Sequence, residues 1–350
     1  MSTKALVYAG KGKIAIQEVP RPRLRDDYVI VKTTAVGLNP TDWKGVARAV
    51  DTDVGRRIGC DYAGVVEEVG SKVRKIFKKG DRISGIAYGN DSLEFENGTF
   101  ANWIAVKGDL QIKTPDNLTD VEAATHGVAV VTVGQGLYRD LGLPLPGEAT
   151  SSDQYLLIHG GSTATGIWGI QFAKLSGLKV IATSSPHNFD YLKSLGAEKI
   201  YDYKDPATGS NIRAYTNNTL KLAWDCAGGG EVLVASALSS DGGKYSSIQL
   251  NDKSKVEAVN DKVDGPHLTL AYEATGENFR LGTNDSPPKP EEFEYASKFT
   301  EIARGLLVDG KLKVPRIILN DGGSGLEGVI KGLDDLKAGK VSGGKMIYTL

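Results

Sequence analysis

Residues 155–174 read YLLIHGGSTATGIWGIQFAK: a short apolar strand, a glycine-rich turn and a helical pattern in immediate succession. In a dinucleotide-binding βαβ unit such a turn lets the backbone approach a pyrophosphate, which sits at the positive N-terminus of the following helix. Gly160, Gly161, Gly166 and Gly169 are present, whereas Ala164 and Thr165 stand where glycine or a small apolar residue is usual. Ser162, Thr163 and Thr165 add hydroxyl donors, so side-chain hydrogen bonds are expected to replace lost backbone proximity at a phosphate. A purely structural Gly-Ser loop is the plainer alternative.

One strand further on, residues 180–189 read VIATSSPHNF. A unit that prefers NAD places an acid at the end of this strand to accept from the ribose hydroxyl. Neither Ser184 nor Ser185 is one. The 2′-phosphate of NADP would meet no repelling charge there and would find Ser185, His187 and Asn188, so NADPH is the expected cofactor. Tyr203, in YDYKD (201–205), is expected beneath the adenine.

The alternation of strand and helix continues through LKLAWDCAG, GGKYSSIQL and HLTLAYEA, which means βαβ units and a parallel sheet covered on both faces. Before it, KALVYAG, KIAIQEVP, YVIVKTTAVGL, YAGVVEEVG and GDRISGIAYG alternate within themselves and are punctuated by glycine and proline. That pattern predicts twisted antiparallel sheet, close to a partial barrel. The last strands, VPRIIL and KMIYTL, resemble this first region. Residues 312–350 are therefore expected to rejoin residues 1–125, leaving a Rossmann domain over 126–311. GTNDSPPKPEE (282–292) reads as an exposed loop, and the apolar spacing after it as a core-packing helix.

At 350 residues the chain exceeds one ordinary core. Lys and Arg number 42 against 43 Asp and Glu, so no net field attracts nucleic acid. No apolar run approaches the roughly 20 residues of a membrane span, and the start lacks a signal-peptide pattern. A soluble, cytoplasmic protein is expected. Two cysteines, Cys60 and Cys226, cannot build a disulfide framework or a cysteine-rich zinc site and read as buried thiols. His126, His159 and His267 have no acid or nucleophile at a recognisable spacing and read as structural. No Gly-x-Ser-x-Gly elbow supports hydrolase chemistry.

With these residues in place, KALVYAG, VGLNPTDWK, IGCDYAGVVEEVGSKV, KKGDRISG, GTFANWIAV, LVDGKLKV and GKVSGGKMIYTL resemble the zinc-free medium-chain dehydrogenases/reductases. More narrowly, GGSTATG, IATSSPHNFDYLKSLGAEKIYDY and LGLPLP look like the fungal trans-acting enoyl reductases that partner polyketide synthases. The resemblance implies an α/β chain with a GroES-like, β-rich domain formed from both chain ends and a Rossmann domain between. It also implies that no metal is bound. GLNPTDWK stands where the zinc-dependent branch has a ligand cysteine, and GCDYAG where it has Gly-His-Glu.

Carried over position by position, the resemblance puts Pro40, Thr41, Asp42 and Lys44 beside the nicotinamide ribose and the reacting carbons. Lys44 would be the enolate stabiliser or proton donor. Thr132 would touch the cofactor, although the helix around it carries an apparent one-residue insertion. Ser162, Thr163, Ala164 and Thr165 would hold phosphate, and Ser185, His187, Asn188 and Tyr203 would surround the adenosine. Ile248 and Gln249 would lie near the carboxamide, and Val341 and Ser342 would close the pocket. The implied activity is NADPH-dependent reduction of the C=C bond of a carrier-bound enoyl thioester, with a polyketide synthase as partner. A stand-alone zinc-independent reductase of enals, quinones or aldehydes is the alternative within enzymes, and a non-catalytic NADPH-binding sensor the alternative outside them. HLTLAYEA (267–274) would be the edge strand through which relatives dimerise. Tyr272 and Glu273 are expected to blunt it, leaving a monomer.

Overall fold

The computed structural model describes residues 2–148, 153–281 and 284–350. They form two compact units, one comprising the described residues up to Val131 together with Tyr272–Leu350, the other Thr132–Ala271. Expectation had set the return to the first unit at residue 312, much later in the chain. The physical reason for the difference is the helix Pro290–Val308, which belongs to the first unit and is bonded into it. Arg304 Nε donates to the Lys113 carbonyl (3.1 Å), Asn117 Nδ2 donates to the Leu307 carbonyl (3.1 Å), and Lys75 pairs with Glu301 (2.8 Å).

The first unit opens with β1 (Ser2–Gly10), β2 (Lys13–Pro20), β3 (Tyr28–Gly37), β4 (Asp61–Val69), β5 (Arg82–Ile86), β6 (Trp103–Lys107) and β7 (Ile112–Lys113). β1 and β2 pair as an antiparallel hairpin. β3 is the hub of the larger sheet, pairing with β4 along one edge and with β6 along the first half of the other. The second half of that edge takes the final strand, Gly344–Thr349, with Ile347 opposite Gly37 and Thr349 opposite Ala35. The core closes around the same connection: Leu6, Val31, Tyr62 and Phe100 pack with Val329, Met346 and Tyr348.

In the second unit the strands are β8 (Tyr155–His159), β9 (Lys179–Ser184), β10 (Lys199–Asp202), β11 (Leu222–Asp225), β12 (Gly243–Ser247) and β13 (Val263–Leu268). They form one parallel sheet in the order β10-β9-β8-β11-β12-β13. The order reverses at β8, and the glycine-rich turn follows β8. Ligands of open α/β sheets bind at such a switch point, beyond the carboxyl ends of the strands.

Two local expectations need correction. HLTLAYEA is not a strand throughout: β13 ends at Leu268, and Ala271–Thr275 is a short 3-10 turn. Tyr272 cannot blunt a sheet edge, because it is buried in the first unit with its ring 4.1 Å from that of Tyr88. Glu273 is engaged by Lys289. Within the stretch expected as a loop, Asn284–Ser286 pairs antiparallel with Phe279–Leu281.

Candidate active site

The glycine-rich turn explains which glycines the sequence keeps. Gly160 adopts φ +75°, where a side chain is strained, and a Cβ there would also strike Ala227. A Cβ on Gly166 would lie 2.4 Å from the Gly160 carbonyl, so the start of helix α1 (Ala164–Leu175) folds onto the turn only with glycine. Gly169 does the same one turn later, where a Cβ would meet the Trp224 ring at 2.4 Å. The two positions that lost glycine, Ala164 and Thr165, are half-buried.

Thr163 is the N-cap of α1. Its hydroxyl donates to the Gly160 carbonyl (2.8 Å) and accepts from the Gly166 N–H (3.0 Å). That hydroxyl is spent on shaping the turn, so the expected phosphate contact by Thr163 is indirect. A helix start leaves its first N–H groups without intrahelical acceptors, and at Ala164 and Thr165 these are what the turn presents to an anion.

At the end of β9, Ser184 is buried, Ser185 half-buried and His187 exposed. Asn188 is buried, with its amide nitrogen 3.2 Å from His187 Nε2, so His187 is the member of that pair that faces solvent. Tyr203 is exposed, its ring edge-on to that of His159. His159 is buried. Burial lowers its pKa, and Nδ1 lies 2.8 Å from the Thr183 hydroxyl. Ile248 and Gln249 leave the end of β12 half-buried, above a buried cluster in which Asn251 Nδ2 and the Tyr245 hydroxyl both donate to Asp225.

Thr132 is buried in the helix Gly127–Val133, and the chain then continues as a π-helix over Gly134–Asp140. π-Helical turns inside α-helices are rare and frequently lie at functional sites. Gly136 inside this one lets the backbone close on Trp224.

In the first unit, Asn39 caps helix α2 (Pro40–Arg48), with Pro40 as its first residue. The Asp42 carboxylate accepts from the Asn39 N–H (2.7 Å). Asp42 is fully buried and therefore forms the helix start instead of offering an open contact to a ribose. Burial pushes its pKa up to about 7 against the opposing effects of the Asn39 N–H and Lys345, while the neighbouring Cys60 thiol is pushed up by burial and by Asp42. Thr41 shares a hydrogen bond with the Tyr272 hydroxyl. Lys44 is half-buried, and its pKa is lowered by burial and by Arg48 one turn on. Val341 packs on the core of this unit, and Ser342 is exposed.

The sequence reading missed the group that ties these segments together. Asp61, from GCDYAG, and Lys345, from SGGKMIYTL, are both buried with Lys345 Nζ 2.6 Å from Asp61 Oδ2. Asn39 bridges them, donating through Nδ2 to Asp61 (2.9 Å) and accepting from Lys345 on Oδ1 (2.6 Å). His126 lies close by, bonded to the Ser84 hydroxyl (3.0 Å), and burial lowers its pKa to about 4. The available signal was a charge at the apolar start of β4, well before Glu67 and Glu68, and the single charge of the final strand.

Because the folded value of Asp42 lies above the ordinary carboxylate range, the folded state holds this proton more tightly than the unfolded one. Its contribution to stability is greatest at low pH and falls as pH rises from about 4 to about 7. Asp42→Asn keeps an acceptor for the Asn39 N–H and removes the titration. The variant should gain on the wild type across that window by on the order of 2–4 kcal/mol. Urea unfolding of both proteins at the two ends of the window reads the difference directly, and a pH-independent difference would refute the assignment.

Residues 25–116 match the alcohol dehydrogenase GroES-like domain, and residues 164–299 the zinc-binding dehydrogenase family. The chain is 40% identical over 355 residues to the trans-enoyl reductase ACTTS2 of Alternaria alternata, covering 100% of this chain and 99% of that one. It is 46% identical over 263 residues to the trans-enoyl reductase TOXD of Cochliobolus carbonum, covering 74% and 85% respectively. The quinone oxidoreductase of Coxiella burnetii shares the fold, with a TM-score of 0.71 at 23% identity over the whole of both chains.

The zinc in the second family's description does not fit the residues present. Among the described residues no three His, Cys, Asp or Glu side chains gather as a metal site. Of the groups at the corresponding segments, Cys60 is held as a neutral buried thiol and Asp61 is committed to Lys345. A nucleotide fits the donors present: at the start of the helix after β8 the N–H groups of Ala164 and Thr165 have no intrahelical acceptor, and both residues are only half-buried. No described helix is long and apolar enough to cross a membrane.

Proposed function

We infer from the chain's place in the medium-chain dehydrogenase/reductase family, to which it belongs together with the fungal trans-enoyl reductases, that it reduces the C=C bond of an enoyl thioester at the expense of NADPH. A nicotinamide cofactor follows from the family. NADPH over NADH is the finer reading, supported by the absence of a carboxylate at Ser184 and Ser185 and by the exposed His187 beyond them. Ala164, Thr165 and Ser162 would hold the pyrophosphate, with Ser185, His187 and Tyr203 around the adenosine phosphate and ring. Ile248 and Gln249 would lie toward the carboxamide.

The observation that carries the chemistry is the half-buried Lys44, one turn after Thr41 on α2. When bound, the cofactor supplies a hydride to the β-carbon. The electron pair of the C=C bond then moves onto the carbonyl oxygen, and the α-carbon takes a proton. Lys44 would stabilise the developing enolate oxygen and return a proton from Nζ, a role that its lowered pKa favours. Thr41 and Tyr272, joined by their hydroxyls, would orient the carbonyl. The acceptor would arrive on a carrier protein of a polyketide synthase, met by a monomer of this chain.

Lys44→Ala should lower kcat about a hundredfold, as for loss of a general acid, and leave the Kd for NADPH within about twofold of wild type. Unchanged turnover would remove Lys44 from the chemistry. The assignment itself is tested by following NADPH oxidation with 2-enoyl thioesters beside simple enals, quinones and aldehydes, repeated with NADH. Preference for the thioesters and for NADPH is expected, and preference for free enals, quinones or aldehydes would make this a stand-alone reductase.

A further inference from the structure

The π-helix Gly134–Asp140 lies across one face of the parallel sheet, and the layer between them holds buried polar atoms without partners. Trp224 on β11 stands opposite Ser246 on β12, and Ser246 opposite His267 on β13, so the three side chains share that face. The helix crosses them in order. A Cβ on Gly136 would lie 2.3 Å from Trp224 Nε1. Four residues on, the Asp140 carboxylate reaches His267 Nδ1 (3.1 Å), and the Asp140 carbonyl accepts from Lys244 Nζ. Ser246 stands in the sheet between these two crossings. Trp224 and Ser246 have no exposure to water, and Gln135 is 3% exposed. Among the described residues, Trp224 Nε1, Ser246 Oγ, both amide atoms of Gln135 and Asp140 Oδ2 make no hydrogen bond. Buried polar groups are paired almost without exception, so such a set in one layer points to a ligand of its own. It mixes donors (indole and amide N–H) with acceptors (carboxylate and amide oxygen) and a hydroxyl that is both. A cation would meet the indole N–H and Lys244, and an anion would meet Asp140. Water satisfies both kinds of group.

The two ends of the layer differ. At one, Gln135 follows Thr132 by a single turn, and Thr132 is the buried residue that would touch the cofactor. At the other, the His267 side chain is 39% exposed and is engaged on both ring nitrogens, by Asp140 and by Asp264 (3.1 Å each). An imidazole takes a proton on one nitrogen as it gives one from the other. We propose that this layer is a water-filled proton path, loaded at His267 and discharged at Thr132, that replenishes the proton each reduction consumes. At every link one O–H or N–H bond forms as the next one breaks, and no electrons are transferred. Asp264 passes a solvent proton to His267 Nε2, and Nδ1 releases its own to Asp140. Asp140 Oδ2 hands it to waters held by Ser246 and Gln135, and the Thr132 hydroxyl accepts it while releasing its own toward the reacting group. The Trp224 N–H and the Gln135 amide exchange nothing and keep the waters in line. The proposal rests on the reductase reading of the previous section, which needs one proton per turnover, and adds where that proton comes from.

The test uses a 2-enoyl thioester of pantetheine and two variants, His267→Gln at the solvent end and Ser246→Ala inside the layer. Each should lower kcat about tenfold, the proton having to arrive by a poorer route, and leave the Kd for NADPH within about twofold of wild type. Isotope effects separate a proton path from a packing role. The effect of heavy water on kcat should rise in both variants, because proton delivery has become the slow step. The effect of deuterium at the transferred position of NADPH should fall toward one for the same reason. His267→Gln lies at the surface and keeps the test standing if Ser246→Ala does not fold. An unchanged kcat in a folded variant overturns the proposal, and so does a lowered kcat with both isotope effects as in wild type, which would be the mark of disturbed packing. Failure of the wild-type protein to reduce the thioester would instead overturn the reductase assignment.

Discussion

Lys345→Met should cost the protein about 3–5 kcal/mol, the usual consequence of removing one member of a buried ion pair. Lys345 reaches Asn39 and Asp61 at 2.6 Å each, and Asp61 has no exposure to water with which to replace the lost ammonium. What remains around the carboxylate is the Asn39 amide and the Val128 N–H at 2.6 Å. Two neutral donors do not compensate a buried charge. Since whole domains are stable by only about 5–15 kcal/mol, the loss is a large fraction of the total. Thermal unfolding should shift down by about 10 °C or more. Asp61→Asn combined with Lys345→Met removes the stranded charge and should be less damaging than Lys345→Met alone, so a double-mutant cycle in urea measures the pair. A single variant as stable as wild type would mean that the pair carries no net energy.

Gly166→Ala should raise the Kd for NADPH by about a hundredfold, equivalent to roughly 2.7 kcal/mol. In an exposed helix the same change is favourable by about 1 kcal/mol, because alanine is the better helix former. Here the new methyl would sit 2.4 Å from the Gly160 carbonyl and 2.9 Å from the Gly161 Cα, both backbone atoms of the turn. Either the helix start retreats or the turn opens, and both displace the N–H groups of Ala164 and Thr165. Fluorescence titration with NADPH reads the loss, and far-ultraviolet dichroism should show the helix content retained. Binding within a few-fold of wild type would show that the turn tolerates the shift.

The fold was legible because it rests on periodicity and on a turn with few alternatives. The alternating stretches from KALVYAG to GDRISGIAYG became β1 to β5, and the parallel sheet follows the expected alternation of strand and helix up to β12, whereas β13 overlaps its expected stretch only at His267 and Leu268. HLTLAYEA misled because Leu268 and Leu270 continue the alternation past the point where the chain leaves the sheet, and alternation alone does not mark that exit. The candidate site was legible in part. Asn39 with Asp42 three residues on is a helix-start pattern that the sequence displays. That the Asp42 carboxylate would be consumed by that pattern, and the Thr163 hydroxyl by its own cap, follows from geometry that residue types do not contain. Asp61 and Lys345 were hidden for a different reason: their partnership spans 284 residues and no spacing rule reaches that far.

That span also orders events during synthesis. The second unit is one continuous stretch and can close as soon as it has emerged. The first cannot, because Gly344–Thr349 must settle against β3, which left the ribosome some three hundred residues earlier. Until then Asp61 is a charge awaiting its counterion and the second half of an edge of β3 is open to other chains. The nascent protein is most prone to misassociate in that interval, and the strand that ends it brings the neutralising ammonium and seals the edge in one step.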